Sequence, residues 1–398
     1  MEQGEVHGWH RQRIRKTDKE SSPQGEGAGR AEQFGIVFWV TAAISAVFVA
    51  FGVFLTDPFS RVLTTFAGGI ISGMGWVYML VTTFFLGFAL YLAFGRYGKI
   101  RLGGPNEKPE FGLFAWFAML FQAGMGIGLV FWMVSEPVTH YADPPLGQAQ
   151  ASTPAAADLA LRYAFFHWAL HPWAIYAVVG LAVAYFSYRR GMSSLRISSV
   201  FYPLIGGRVN GPWGKAIDIF AILATLIGIA GSLGSGTLQI DAGLGTVFGM
   251  PIGTVGLQLA IIGVTAVAYM LSASTPIEKG VNILSQASIY LAVVLLVFFI
   301  TVGPTLLQLN AFTEGIGSYL ANIIPMSLAT SAFDTEQAAW LGDWTIYFWA
   351  TWIAWAPYVG VFIARISCGR TIRQFVVGVL VAPACSASCS SPSSAARR

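Results

Sequence analysis

The stretch Asp343–Arg370, DWTIYFWATWIAWAPYVGVFIARISCGR, sets Trp344, Tyr347, Phe348, Trp349, Trp352 and Trp355 into one apolar run with a charge at each end. A helix turns about 100° per residue, which puts Trp344, Tyr347, Phe348, Thr351, Trp352 and Trp355 on one face and Trp349 at its edge. A helix facing lipid is built from Leu, Ile and Val, with aromatics mainly at its ends. An aromatic wall along the middle can receive a cation over indole faces. Packing between helices is the competing reading of the same residues.

Two further stretches carry chemistry. FFHWALHPWAIY (Phe165–Tyr176) spreads Trp168, Trp173 and Tyr176 over one broad side of a helix around Pro172, which permits a kink. His167 and His171 are four apart, as metal ligands can be, but no third ligand has suitable spacing, so hydrogen-bonded histidines are expected. QAGMGIGLVFWMVSEPVTHYADPP (Gln122–Pro145) places Gly124, Gly126 and Gly128 two apart inside an apolar span. Gly124 and Gly128 also have the four-residue spacing of close helix packing. Alternatively the glycines unwind the helix, freeing backbone groups for a carboxylate or a cation. Irregular backbone at membrane depth is tolerated where it lines a cavity.

Other polar residues are sparse. Asp218, Asp241, Glu136, Asp334, Glu336 and Asp343 fall at or near span ends or in loops, where capping and interface solvation are expected. Thr225, Ser232 and Ser235 could line an ion path or bond their own helix backbone. No Ser-His-Asp set or carboxylate pair is placed for catalysis, so a membrane enzyme is disfavoured. Polar rings of a channel are absent too.

The elements that must position these residues are membrane spans. Of the 398 residues 55% are hydrophobic and 11% charged, against about 25% charged in soluble domains. Apolar runs of spanning length, about 20 residues, occur near 34–55, 73–94, 111–134, 162–187, 216–247, 252–272, 283–308 and 344–366, and a ninth begins near Thr371. No cleavable signal precedes them. The connector 309–342 has an amphipathic centre suited to the membrane surface. Lys and Arg number six in the tail 1–33, then one, four, none, five, none, one, none and three in successive loops. This alternation predicts a cytoplasmic N-terminus and an outward-facing connector. The net charge of +4 comes from these loops and implies no nucleic-acid partner. Cys368, Cys385 and Cys389 all lie near the C-terminus, so no disulfide framework is expected. After Pro383 the sequence turns to ACSASCSSPSSAARR, a low-complexity tail that cannot span. The ninth span then holds only about 13 residues, short of the ~20 required, and a frameshift is the expected cause, with a normal polar tail as the competing reading.

Taken together, GMGIGLVFWMVSEPVTHY, HWALHPWAIY and DWTIYFWATWIAWAPYVGVFIARIS resemble the betaine/carnitine/choline transporter family, over residues 34–383. The resemblance implies an all-α integral membrane fold, a leucine-transporter-type inverted-repeat helix bundle with its first repeat complete and its second truncated. The implied division is a cytoplasmic tail 1–33, two leading helices 34–94, a first five-helix repeat 95–308, the connector 309–343, the start of a second repeat 344–383, and the tail 384–398. It implies ion-coupled import of a betaine-like osmolyte, with no cofactor, in the inner membrane and as a homotrimer. Trp168, Trp173, Tyr176, Tyr347, Trp349, Trp352 and Trp355 match the aromatic box around a trimethylammonium group. Gly124, Gly126 and Gly128 match the unwound segment near the substrate carboxylate, and Met125 matches a Na+ site (H+ being the other coupling ion considered). Thr351 stands where the family signature has a Trp, Gly128 favours a zwitterion over choline, and Cys368 replaces an Arg. An inactive truncated pseudotransporter is the alternative.

Overall fold

The computed structural model describes residues 35–124, 127–192, 195–275 and 280–381. The tails 1–33 and 384–398, together with Met125 and Gly126, lie outside the described residues. Apart from one isolated bridge, Arg101 to Thr371, the regular structure among the described residues is helical. Seven of the described helical stretches are long and apolar enough to cross a membrane, and Leu113–Ala123 and Ile372–Val381 are shorter apolar helices. The chain is thus an integral membrane helix bundle.

Two helices lead. α1 is Ile36–Phe54 and α2 is Thr56–Phe94. The expected loop 56–72 is instead the first half of α2. Pro58 falls in the opening turn, where a missing N–H costs nothing, and no further Pro interrupts the run to Phe94. The third span is two helices, α3 Leu113–Gly124 and α4 Ile127–Ala142. The fourth is also two. α5, Pro154–Trp168, starts at a Thr153 cap that accepts from Ala156 N. It ends at Ala169, whose φ of −93° and ψ of −112° are not helical. α6 then runs Leu170–Ala184. The break sits three residues before Pro172, whose ring would clash with a helical carbonyl four residues back.

α7 (Pro212–Phe248), α8 (Val255–Ala273) and α9 (Gly280–Val302) follow. The span expected to reach residue 308 stops at Val302, because Gly303 and Pro304 intervene before α10, Thr305–Ser327. α10 lays Phe312, Ile316, Tyr319, Ile323 and Met326 on the core at helical spacing. Gly315 admits the Phe165 ring, since a Cβ there would come within 2.7 Å of it. α11 (Thr335–Leu341) is capped by Asp334, which accepts from Glu336 N and Gln337 N. A single wide π-type turn, Gly342–Ile346, joins it to α12, Tyr347–Ile366. Such one-residue expansions recur at functional positions.

The most extensive helix contact is between α6 and α12. There Gly180 and Gly360 bring the backbones together, and a Cβ on Gly180 would stand 3.0 Å from Gly360 O. Beyond α12 the chain is fastened to the loop after α2. Leu102 N donates to Arg370 O (2.8 Å), and Ile372 N to Ile100 O (2.8 Å). The Arg370 guanidinium lies 3.9 Å over the Trp116 ring and donates to Phe111 O. α13, Ile372–Val381, then packs Phe375, Val376 and Val379 into the core.

Candidate functional site

A cavity of about 1040 Å³ opens between α2, α3, α6, α7 and α12. From α12 it is lined by Tyr347, Phe348, Thr351, Trp352 and Trp355, five of the six residues the helical wheel puts on one face; the sixth, Trp344, lies in the π-type turn and packs on His140 instead. Trp168 from the end of α5 and Tyr176 from α6 complete the aromatic wall, and Trp132 of α4 joins it. Trp168 meets Trp352 edge to face at 5.2 Å, and Tyr176 meets Trp352 at 5.5 Å. Phe348 touches both Trp168 (5.2 Å) and Trp132 (5.7 Å). The break at Ala169 lets one span supply two walls. Trp168 ends the helix before it, and Tyr176 rides on the helix after it. Trp355 is seated against α7 at Gly228, where a Cβ would stand 2.8 Å from the indole nitrogen.

Two residues expected in the box are not brought to the cavity. Trp349 lies just past the edge of the α12 face and is 1% exposed. Its ring stacks on His171 at 5.6 Å and meets Phe166 at 5.1 Å. Trp173 is equally enclosed and supports Tyr176 edge to face at 5.6 Å. Both pack behind the wall. Of the glycines, Gly124 ends α3 and Gly128 belongs to α4, while Gly126 and Met125 lie outside the described residues. Gln122 and Ala123, just before them, line the cavity. Ser232 and Ser235 line it as well, whereas Thr225 donates to Ala221 O of its own helix.

Behind Trp168 lies a sealed polar cluster. The Trp168 indole donates to Glu136 Oε2 (2.6 Å), and His167 Nδ1 is 2.6 Å from Glu136 Oε1. His167 Nε2 is 2.9 Å from Thr345 Oγ1 in the π-type turn before α12. His140 Nε2 is 3.3 Å from Glu136 Oε1, and its ring sits against Trp344 at 4.4 Å. Glu136, His140 and His167 are all fully buried. This corrects the expectation that Glu136 caps a helix or faces the interface. It lies inside α4, turned to the protein interior. The signal in the sequence is a carboxylate within an apolar stretch, the usual mark of an intramembrane polar site.

The three side chains are close enough to share an ion, but their spacing is that of hydrogen bonds. Two ligands on one tetrahedral ion stand roughly 3 Å or more apart, and His167 and Glu136 are nearer than that. His167 and His171 serve different partners. His171 Nε2 is 2.8 Å from Ser327 Oγ, and its Nδ1 is 3.4 Å from the Tyr319 hydroxyl, which ties α6 to α10. Two other acids expected at span ends each accept from one backbone and one side-chain donor of a neighbouring segment. Asp218 accepts from Ser198 N and Oγ, and Asp241 from Gly253 N and Gln258 Nε2.

The cavity has indole, phenol and phenyl faces and few charged groups. Trp352 Nε1 is buried and has no hydrogen-bond partner among the described residues. Such a surface suits a group that carries positive charge without donating hydrogen bonds.

Comparison with known proteins identifies the family. Residues 36–391 match the sequence profile of BCCT, the betaine/carnitine/choline family transporters. The chain is 50% identical over 348 residues to glycine betaine transporter OpuD of Bacillus subtilis, covering 87% of this chain and 67% of that protein. It is 44% identical over 347 residues to a probable glycine betaine transporter of Desulfitobacterium hafniense, covering 87% and 68%. It is 40% identical over 348 residues to an osmo-dependent choline transporter of Acinetobacter baylyi, covering 87% and 50%. The chain therefore spans between half and about two thirds of the length of these relatives, and by its profile match and these identities it belongs to the betaine/carnitine/choline transporter family.

Proposed function

We propose that this protein binds a quaternary-ammonium or related zwitterionic solute in the aromatic cavity and carries it inward by ion-coupled alternating access. The observation that carries the reading is the convergence of Trp168, Tyr176, Trp352 and Trp355 on one cavity. A trimethylammonium group has no N–H to donate, so it gains from ring faces, about 0.5–2 kcal/mol each. The solute carboxylate would accept from backbone N–H groups of the Gly124–Gly128 segment. Two relatives are named for glycine betaine and one for choline, and Gly128 favours the zwitterion here. Na+ at the Met125 segment is the proposed coupling ion, H+ the alternative. The loop charges support a plasma-membrane orientation with the N-terminus cytoplasmic, and family likeness supports a homotrimer.

The test is equilibrium binding to the purified chain, read by tryptophan fluorescence with glycine betaine, choline and ectoine, with and without Na+. Uptake of labelled solute in liposomes follows. Saturable quenching by betaine that is lost in Trp355→Ala is expected. Quenching unaffected by that change would place the solute elsewhere.

A further inference from the structure

We propose that Glu136 is a positioning residue that sets the specificity of the aromatic cavity for a permanent cation. It acts through the bond from Trp168 Nε1 to its Oε2. This inference rests on the proposed ammonium site.

A carboxylate buried at membrane depth is expensive, and an apolar side chain of similar size would fill the space. Glu136 is nonetheless fully enclosed, with donors at both oxygens. One oxygen holds the indole of Trp168, which lines the cavity. The other holds His167, which reaches Thr345 in the turn that starts α12. One carboxylate therefore links α4, the end of α5 and the base of α12, the elements that carry Trp132, Trp168 and the α12 wall.

Two consequences bear on binding. The bond fixes the rotation of the indole, so the ring is set against the cavity before any ligand arrives. Fixing a side chain in advance removes an ordering cost from binding. A carboxylate accepting from an indole N–H also pushes electron density into the ring, and in a low-dielectric site that negative charge counts for more. Both strengthen the attraction to a cation. Only the second distinguishes a cation from a neutral molecule of the same shape.

The experiment uses the full chain, selectively labelled with 15N-tryptophan, as wild type, Glu136→Gln, Glu136→Ala and Trp168→Phe. Trp168→Phe identifies the Trp168 indole resonance by its loss. Glu136→Gln preserves an acceptor of nearly the same shape and removes the charge. The expected result is an upfield move of the Trp168 indole resonance in Glu136→Gln and a larger one in Glu136→Ala. Tetramethylammonium binding should weaken about 5- to 30-fold in Glu136→Gln, while displacement by dimethylbutanol, the neutral carbon isostere of choline, stays unchanged. A purely structural role would weaken both ligands together or lower the melting temperature, and would overturn the proposal. So would a Trp168 resonance that does not move. If the wild type binds no ammonium probe, the ammonium reading fails with its specificity claim, and the indole resonance still decides whether Glu136 positions Trp168.

Discussion

Trp168 and Trp352 stand edge to face, centroids 5.2 Å apart and planes at 82°. One indole closes α5 and the other sits in the second turn of α12, so each ring is held by the other across the cavity wall. Edge-to-face pairs contribute about 0.5–1.5 kcal/mol beyond area burial, and both rings also line the cavity. Trp352→Ala should weaken betaine binding by about 2- to 30-fold from the lost ring face alone. The double variant with Trp168→Ala should lose less than the sum of the singles, because each single change already frees the other ring. A double-mutant cycle on the fluorescence Kd measures this coupling, and strict additivity would show the two rings to be independent.

Thr351 lines the cavity between Tyr347 and Trp355, and its hydroxyl donates to Tyr347 O. A methyl and a hydroxyl leave open space where an indole would stand. Thr351→Trp should shrink the cavity, preserve or tighten binding of glycine betaine, and exclude a bulkier solute such as ectoine. Competition between the two solutes, measured as a ratio of Kd values, reads the shift. Equal loss of both would mean that the new ring blocks the site outright.

Gly228 supports Trp355 from α7, and a methyl there would stand 2.8 Å from the indole nitrogen. Gly228→Ala should push the Trp355 ring toward the cavity and weaken ligand binding several-fold. Overpacking typically costs about 1–3 kcal/mol. Gly231 also lines the cavity, but a methyl on it would meet nothing within 4 Å. Gly231→Ala therefore serves as the control and should leave the melting temperature unchanged. A comparable loss in both variants would count against a specific seat for Trp355.

Cys368 follows α12, outside the membrane-spanning helix. Burial pushes its thiol up to about 12, with the Glu107 carboxylate adding to the rise. Only the thiolate attacks an alkylating reagent. With Cys385 and Cys389 changed to Ser, iodoacetamide should modify Cys368 on the order of a thousandfold more slowly than a free thiol near neutral pH. A raised value means that the thiolate appears only as the pH climbs, so the rate should keep rising through pH 10. A rate that levels off near pH 9 would show an ordinary thiol.

Much of the cavity is legible in the residues. Helical spacing alone puts Tyr347, Phe348, Thr351, Trp352 and Trp355 on the face that lines it, because an α-helix fixes angle from residue number. The same rule leaves Trp349 at the edge, and only the neighbouring helices decide that it stacks on His171. Trp173 and Tyr176 are separated by one turn, and which of them meets the cavity depends on the break at Ala169, a backbone feature with no side-chain signature. Glu136 reads as an end-of-span carboxylate because its partners, Trp168 and His167, lie some thirty residues away in sequence. The stretch 56–72 reads as a loop for a simpler reason. Its scattered polar residues lower the local hydropathy without breaking the helix.

Gly180 and Gly360 set a mechanical limit on how this cavity can change size. Neither glycine leaves room for a Cβ, so α6 and α12 are in close backbone contact at that level, and Tyr176 and Trp352 lie about one and two turns away on their respective helices. While that contact holds, sliding the helices together cannot narrow the aromatic wall. The remaining freedom is rotation about the contact, so it acts as a fulcrum. A small change in crossing angle there is transmitted as a larger separation or approach of the rings further along each helix.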